Sequence, residues 1–238
     1  MDRSYDREAD EIRPVKIELD FLRNAKSSAM ISCGNTRILI AISLVGGAPR
    51  WKKEQGIPGG WITSEYGMMP GSTLTRKSRP KSKQDGRAVE IQRLIGRSLR
   101  AVVNVELLGD NSIYVDCDVI DADGGTRCAS ITGASVALMH CFNQMLKDGD
   151  VPEMPMKELL GAVSVGMVDG RAVCDLDYKE DYAAAVDMNV VMTESNQFVE
   201  IQGTGEETTF SKDESNQLLG LAEKGIADLI QIQKDILG

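Results

Sequence analysis

Residues 121–138, DADGGTRCASITGASVAL, decide how the rest of this chain is read. Acidic residues on a predicted strand run into Gly124-Gly125, then Thr126 and Arg127, and then a helix start built of small side chains. Two glycines let a backbone approach an oxyanion closely, the open N–H groups of a helix start point at it, and Arg127 can donate a fork of hydrogen bonds. Phosphate is the natural guest of such a turn. The same strand, turn and helix occur in many proteins without any ligand, so the stretch alone leaves both readings open.

The 238 residues have room for one large domain or two smaller ones with a substantial core. Apolar residues make up 42% and charged residues 26%, as in ordinary globular proteins, and with aromatics at only 5% the core should be aliphatic. The net charge of -9 argues against general attraction to nucleic acid, so any polyanion site must be local. Cys33, Cys117, Cys128, Cys141 and Cys174 form no CxxC pair and have no histidine at a zinc-ligand spacing. A reducing, cytoplasmic setting is expected. The opening MDRSYDREADEIRP is too acidic and polar for a targeting peptide, and no apolar run reaches membrane-spanning length.

Working back from residue 121, SIYVDCDVID alternates as a strand. Ahead of it, residues 86–104 place Ile91, Leu94, Ile95, Leu99 and Val102 at helical spacing. VKIELDF, SSAMISC and TRILIAISLV read as strands after a polar leader ending at Arg13-Pro14, with Gly34-Asn35 turning a hairpin between the second and third. Residues 49–60 read as a loop, WITSEYGMMP as a further strand or an extended lining segment, and residues 71–83 as a basic, mobile loop. Working forward, Ile131, Leu138, Met139, Phe142 and Met145 mark a helix ending near Asp148-Gly149, and residues 148–158 form the best linker candidate. AVSVGMV and AVCDLDY flank the hairpin signal Asp169-Gly170, and VDMNVVM and QFVEIQG supply two more strands. A closing helix beginning at Asp213 buries Leu219, Ala222, Ile226, Leu229 and Ile230. Hairpin, strands and terminal helix thus occur once in residues 1–150 and once in residues 151–238. A pseudo-duplicated α+β architecture follows, one domain with two structural halves.

His140, the only histidine, lies inside an apolar-periodic helix and reads as a core or interface residue, which argues against a Ser-His-Asp machine. Chemistry must then come from carboxylates, arginines, backbone amides or an oxygen-ligated metal, a set suited to phosphoryl transfer. Carboxylates gather in DCDVIDAD, where Asp116 and Asp118 share a strand face, and in CDLDYKEDYAAAVDMN, where Asp187 and Asn189 do. Either cluster could hold magnesium, and either could be a set of solvated turn aspartates. Asp181 and Asp187 would lie about 20 Å apart on an extended strand, so a bend before Ala183 must join them if they cooperate. Basic residues concentrate between Arg76 and Arg100, including Arg79, Arg87, Arg93 and Arg97, opposed only by Asp85 and Glu90. They suit an RNA-backbone groove, with Arg87 at a helix start as a direct anion ligand. Arg93 and Arg97 fit better on a solvated helix face, with Glu90 paired to Arg93.

Read together, READEIRPV, GWITSEYGMMP, GRAVEIQRLIGRSLRA, DCDVIDADGGTRCASITGASVAL, AVSVG, CDLDYKED, DMNVVMTE and EIQGTGEE resemble the ribonuclease PH family of phosphate-dependent 3′ exoribonucleases, in its bacterial form. The segments are long, ungapped and in the family's order over nearly the whole chain. The resemblance implies a ribonuclease PH-like α+β fold of two βαβα-type halves around mixed sheets, assembled as a homohexameric ring, a trimer of dimers. It implies trimming of tRNA precursor 3′ ends, with inorganic phosphate as co-substrate and release of nucleoside diphosphates. By motif, Arg87, Gly125, Thr126 and Arg127 would hold phosphate. Asp181 and Asp187 would form the catalytic acidic pair, binding a divalent ion such as Mg2+ or protonating the leaving 3′ oxygen. Arg76 and Arg79 match arginines that guide RNA, and Arg100 is assigned to the same role.

Three departures bear on RNA affinity. Where the family commonly reads MLPRAT this chain has MMPGST, with Gly71 at the place of an RNA-contacting arginine. The loop before Trp61 is about two residues longer than usual in the family, and Pro80-Lys81 replaces a helix-friendly pair. Two rival functions stand beside the enzyme: a non-catalytic, exosome-like ring subunit, and a phosphate-binding protein with no RNA role.

Overall fold

The computed structural model describes residues 3–79, 85–206 and 208–238. Branched apolar residues alternate along the first strands, β1 (Val15–Leu19), β2 (Ser27–Cys33) and β3 (Thr36–Gly46), so that Ile17, Ile31, Ile38, Ile40 and Ile42 all turn to one face and are buried. Each fully buried isoleucine contributes about 1.5–3 kcal/mol over an exposed one. A short helix, α1 (Arg50–Glu54), interrupts the segment expected to be a loop and leads to β4 (Trp61–Met68). Helix α2 (Gly86–Val102) then crosses to β5 (Asn111–Asp121), which runs parallel to β4. The resulting five-stranded sheet has the order β1-β2-β3-β5-β4, antiparallel except for its last pair.

Helix α3 (Thr126–Asp148) leaves the end of β5, and its first thirteen residues, apart from Arg127, are buried. It packs on β2 and β3 on one side and on β6 on the other, which makes it the shared centre of both halves. Gly133 permits that closeness: a Cβ there would lie 2.7 Å from Ile31 Cγ2 and 3.2 Å from Ile40 Cγ1.

The second half comprises β6 (Leu160–Val168), β7 (Arg171–Cys174), α4 (Tyr178–Ala183), β8 (Val186–Thr193), β9 (Phe198–Gly205) and α5 (Lys212–Leu237). Its sheet, ordered β7-β6-β8-β9, is antiparallel throughout, so only the first sheet is mixed. Helix α5 covers β6 and β7 and is capped by Ser211, in a reciprocal pair with Glu214, rather than beginning at Asp213.

Two segments read as connections turn out to be packed. In the expected linker, Val151 and Met156 are buried, and Asn104 N–H donates to Pro155 O at 2.8 Å. The polar leader lies against the second half: Arg3 and Arg7 donate to Glu180, and Arg7 Nη1 donates to Asp175 O at 2.8 Å. These partners lie more than 160 residues away along the chain, beyond the reach of local spacing. His140 sits at the margin of the core, with Nε2 3.2 Å from Asp20 Oδ1 and 2.9 Å from Gln144 Nε2. Residues 71–79 hold no helix or strand, whereas Pro80, Lys81 and Lys83 lie outside the described residues. Among the described residues no helix is long and apolar enough to cross a membrane.

Candidate active site

The turn that joins β5 to α3 is built as its glycines demand. Gly124 (φ +77°) and Gly125 (φ +64°) are both left-handed, and a Cβ on Gly124 would lie 2.6 Å from the backbone carbon of Asp177. The turn therefore presses directly on the start of α4, which carries Asp181. Thr36 Oγ1 donates to Gly124 O at 2.7 Å and accepts from Asp123 N–H at 2.9 Å, and Arg13 Nη1 donates to Asp123 O at 2.6 Å. Gly125 occupies the N-cap of α3 and offers no side chain to its first turn, so the amides there stay open to an anion. Thr126 is buried, its Oγ1 2.9 Å from the hydroxyl of Tyr66 on β4. Burial raises the pKa of Tyr66 against the opposing pull of that hydrogen bond, Arg87 and Arg127.

Arg127 extends from this turn toward β9. Its Nη1 donates to Gln202 Oε1 at 3.0 Å and lies 3.4 Å from Glu90 Oε1. Glu90 thus pairs with Arg127 rather than with its helical neighbour Arg93. Arg97, expected on a solvated face, grips Glu200 of β9 through Nε and Nη2, both at 2.5 Å. Arg87 begins α2 just after its cap, Asp85, which accepts from Arg87 N–H at 3.1 Å.

The carboxylates complete the cluster. Helix α4 is the bend required before Ala183, and it carries Asp181 round to within electrostatic reach of Asp187 on β8. Asp187 is pushed up to about 6, first by burial, then by Asp181, with Glu206 adding to the rise while Arg127 and a hydrogen bond from Asn189 oppose it. Asp181 belongs to an exposed residue, yet its carboxyl is also raised, first by desolvation, against the pull of Arg87 and Arg127. Asn189 Nδ2 donates to Asp187 Oδ2 at 3.3 Å, whereas Asp187 Oδ1 is buried without a hydrogen-bond partner among the described residues.

That lone oxygen beside a second acid is the pattern a divalent cation satisfies. Among the described residues no group of three or more acidic, histidine or cysteine side chains could hold a metal. Two carboxylates, with water and substrate phosphates filling the other positions, suit Mg2+. The other acidic cluster plays no part: Asp116 and Asp118 lie on the side of β5 facing away from α3, and Asp116 is raised by desolvation and by Glu65 and Asp118.

Arg76 and Arg79 stand exposed on the loop after β4, which Ser72 ties to the end of β5 by accepting at its carbonyl from Ala122 N–H at 2.8 Å. Arg100 is not brought to this cluster. It lies near the opposite end of α2 from Arg87, its guanidinium 4.4 Å from the centre of the Trp61 ring and donating to Ile62 O at 2.7 Å. Packing of α2 on β4 accounts for it. The residues missed in the sequence are Tyr66, Gln202 and Glu206, whereas Asn189 shares a face with Asp187 as its spacing indicated. Tyr66 sits on an inward strand position, a signal that alternation could have supplied.

This two-sheet α+β fold brings an open helix start, two arginines and two raised carboxylates together. Residues 11–142 match the first domain of the 3′ exoribonuclease family and residues 158–225 match the second, so the chain belongs to that family. Among solved structures, an exosome of Archaeoglobus fulgidus with RNA bound to its active site superposes with a TM-score of 0.81 at 20% identity, over 100% of this chain and 93% of that one. An archaeal exosome core gives 0.77 at 21% identity over 96% and 89%. Rrp46 of rice (Oryza sativa) gives 0.78 at 16% identity over 99% and 100%.

Proposed function

We propose that this chain is a phosphate-dependent 3′-to-5′ exoribonuclease that trims RNA 3′ ends, those of tRNA precursors among them, and releases nucleoside diphosphates. The observation that carries this reading is the convergence of Arg127, Arg87 and the uncapped start of α3 with the raised pair Asp181 and Asp187. Phosphate and an RNA phosphodiester repel each other. Arg127, Arg87 and the amides of residues 126–128 offset that repulsion and hold the attacking oxygen in place.

A phosphate oxygen bonds to the terminal phosphorus while the bond to the preceding nucleotide's 3′ oxygen breaks. The leaving oxygen takes a proton, and the terminal nucleotide departs as a diphosphate. Asp187, protonated up to about pH 6, and Asp181 beside it are placed to manage that proton or, ionised together, to hold a cation. A divalent ion, when bound by Asp181 and Asp187, supplies polarisation of the scissile phosphate. Exposed Arg76 and Arg79 would meet the RNA strand ahead of the reacting bond, and Gly71 removes one contact there.

A second reading has support of its own, since two of the three similar structures are of archaeal exosomes. It makes the chain an exosome-like ring subunit that binds RNA or partners without cleaving. These likenesses favour that reading for assembly, whereas the intact set of arginines and aspartates favours the enzyme. Incubation with a tRNA bearing extra 3′ nucleotides, with and without phosphate, separates them. Phosphate-dependent nucleoside diphosphates are expected; monophosphates would mean hydrolysis, and no release would leave the scaffold. Native mass spectrometry of the same sample tests for a homohexameric ring.

A further inference from the structure

Arg127 is held from two sides by unlike groups. Gln202 Oε1 accepts from its Nη1 at 3.0 Å, and the carboxylate of Glu90 lies 3.4 Å from the same nitrogen. Among the described residues, Nε and Nη2 of Arg127 make no hydrogen bond. The Gln202 amide is itself oriented: its Nε2 donates to Glu200 Oε1 at 2.9 Å, and Arg97 holds Glu200 through two nitrogens. With its N–H2 side committed to Glu200, Gln202 can present only its oxygen to Arg127. A carboxylate at that place would grip Arg127 harder but cancel its charge. A neutral amide fixes the guanidinium and leaves the charge for another anion.

We propose that Gln202 is a positioning residue for phosphate, anchoring Arg127 by Nη1 so that Nε and Nη2 form a fork toward the anion, with Glu90 the resident carboxylate that phosphate displaces. This inference rests on the reading of Arg127 as a phosphate ligand. Titration calorimetry of inorganic phosphate alone into the full chain tests it, alongside turnover on RNA with a single-stranded 3′ end. Gln202→Glu is expected to weaken phosphate binding about tenfold and to raise the phosphate KM with kcat within about twofold. Gln202→Leu should weaken binding about threefold through loss of the anchor. Glu90→Gln should tighten it about threefold, a change that damage to the fold would not produce.

Unchanged phosphate binding in both Gln202 variants, or weaker binding in Glu90→Gln, overturns the proposal. If the wild-type chain binds phosphate but turns over no RNA, the enzyme reading falls while the titrations still decide the role of Gln202. Absence of phosphate binding by the wild type overturns both.

Discussion

Two clusters of arginine and aspartate meet at the same glycine turn, and they are built to opposite ends. On one side, Asp175 is buried and accepts from Arg13 three times, from N, Nε and Nη2 at 2.7–2.9 Å, with Arg7 near by. Burial alone would raise its carboxyl, but the Arg13 charge and hydrogen bonds hold it below the usual range. On the other side, Asp187 is less buried, has one weak hydrogen bond and one bare oxygen, and is raised to about 6. Burial pushes both acids up; the donors and charge of Arg13 reverse that push at Asp175, whereas Asp187 has few donors and a second acid beside it. The first cluster is closed and holds the halves together, whereas the second is left open for a ligand.

The sharpest way to break this contrast is to empty the closed cluster. Asp175→Ala leaves Arg13 buried and uncompensated and should cost about 3–5 kcal/mol, seen as a large fall in melting temperature. Arg127→Ala tests the open cluster: phosphate-dependent RNA trimming should drop about 100- to 1,000-fold while native mass spectrometry shows assembly unchanged from the wild type. Retained activity at low phosphate would remove Arg127 from the site. Gly124→Ala strikes the turn shared by both. Its positive φ and the 2.6 Å approach to Asp177 should together cost about 2–3 kcal/mol in denaturant unfolding.

The smallest effect carries the opposite sign. In the folded chain Asp187 keeps its proton to about pH 6, whereas unfolded it loses it near pH 4, so the native state binds more protons between them and stability falls as pH rises through that window. Without divalent ions, Asp187→Asn should therefore be more stable than wild type by about 1–2 kcal/mol at pH 8, and the gain should fade toward pH 4. Asp175 behaves oppositely: its depressed carboxyl contributes stability above its unfolded pKa that is lost as pH falls through the folded one. A loss of stability at pH 8 in Asp187→Asn would show that its carboxylate is better paired than the geometry indicates.

Most of the fold was legible because its signals are local. Branched apolar runs, alternation and turn signals marked the segments that form the nine strands among the described residues, helical spacing placed α2, α3 and α5, and Gly34-Asn35 and Asp169-Gly170 marked two hairpins. The turn at Gly124-Gly125 could be read for the same reason. What escaped was long-range: Arg13 meets Asp175 across 162 residues and Arg127 meets Gln202 across 75, and no spacing rule reaches that far. The setting of Arg100 escaped as well, because a guanidinium over Trp61 and one facing solvent look the same in a one-dimensional charge run. Helix α1 escaped because five residues give too short a period to recognise.

The leader strapped across the second half sets an order of events at the ribosome. Arg3, Arg7 and Arg13 emerge well before Asp175 and Glu180, which are made more than 160 residues later. Until then the guanidiniums lack their carboxylate partners, and Arg13, which braces the carbonyl of Asp123, lacks the carboxylate that holds it in place. A nascent chain halted near residue 150 can complete the first sheet but cannot set the turn that would hold phosphate. The site is thus assembled late, and a truncated copy would carry the motif without its geometry.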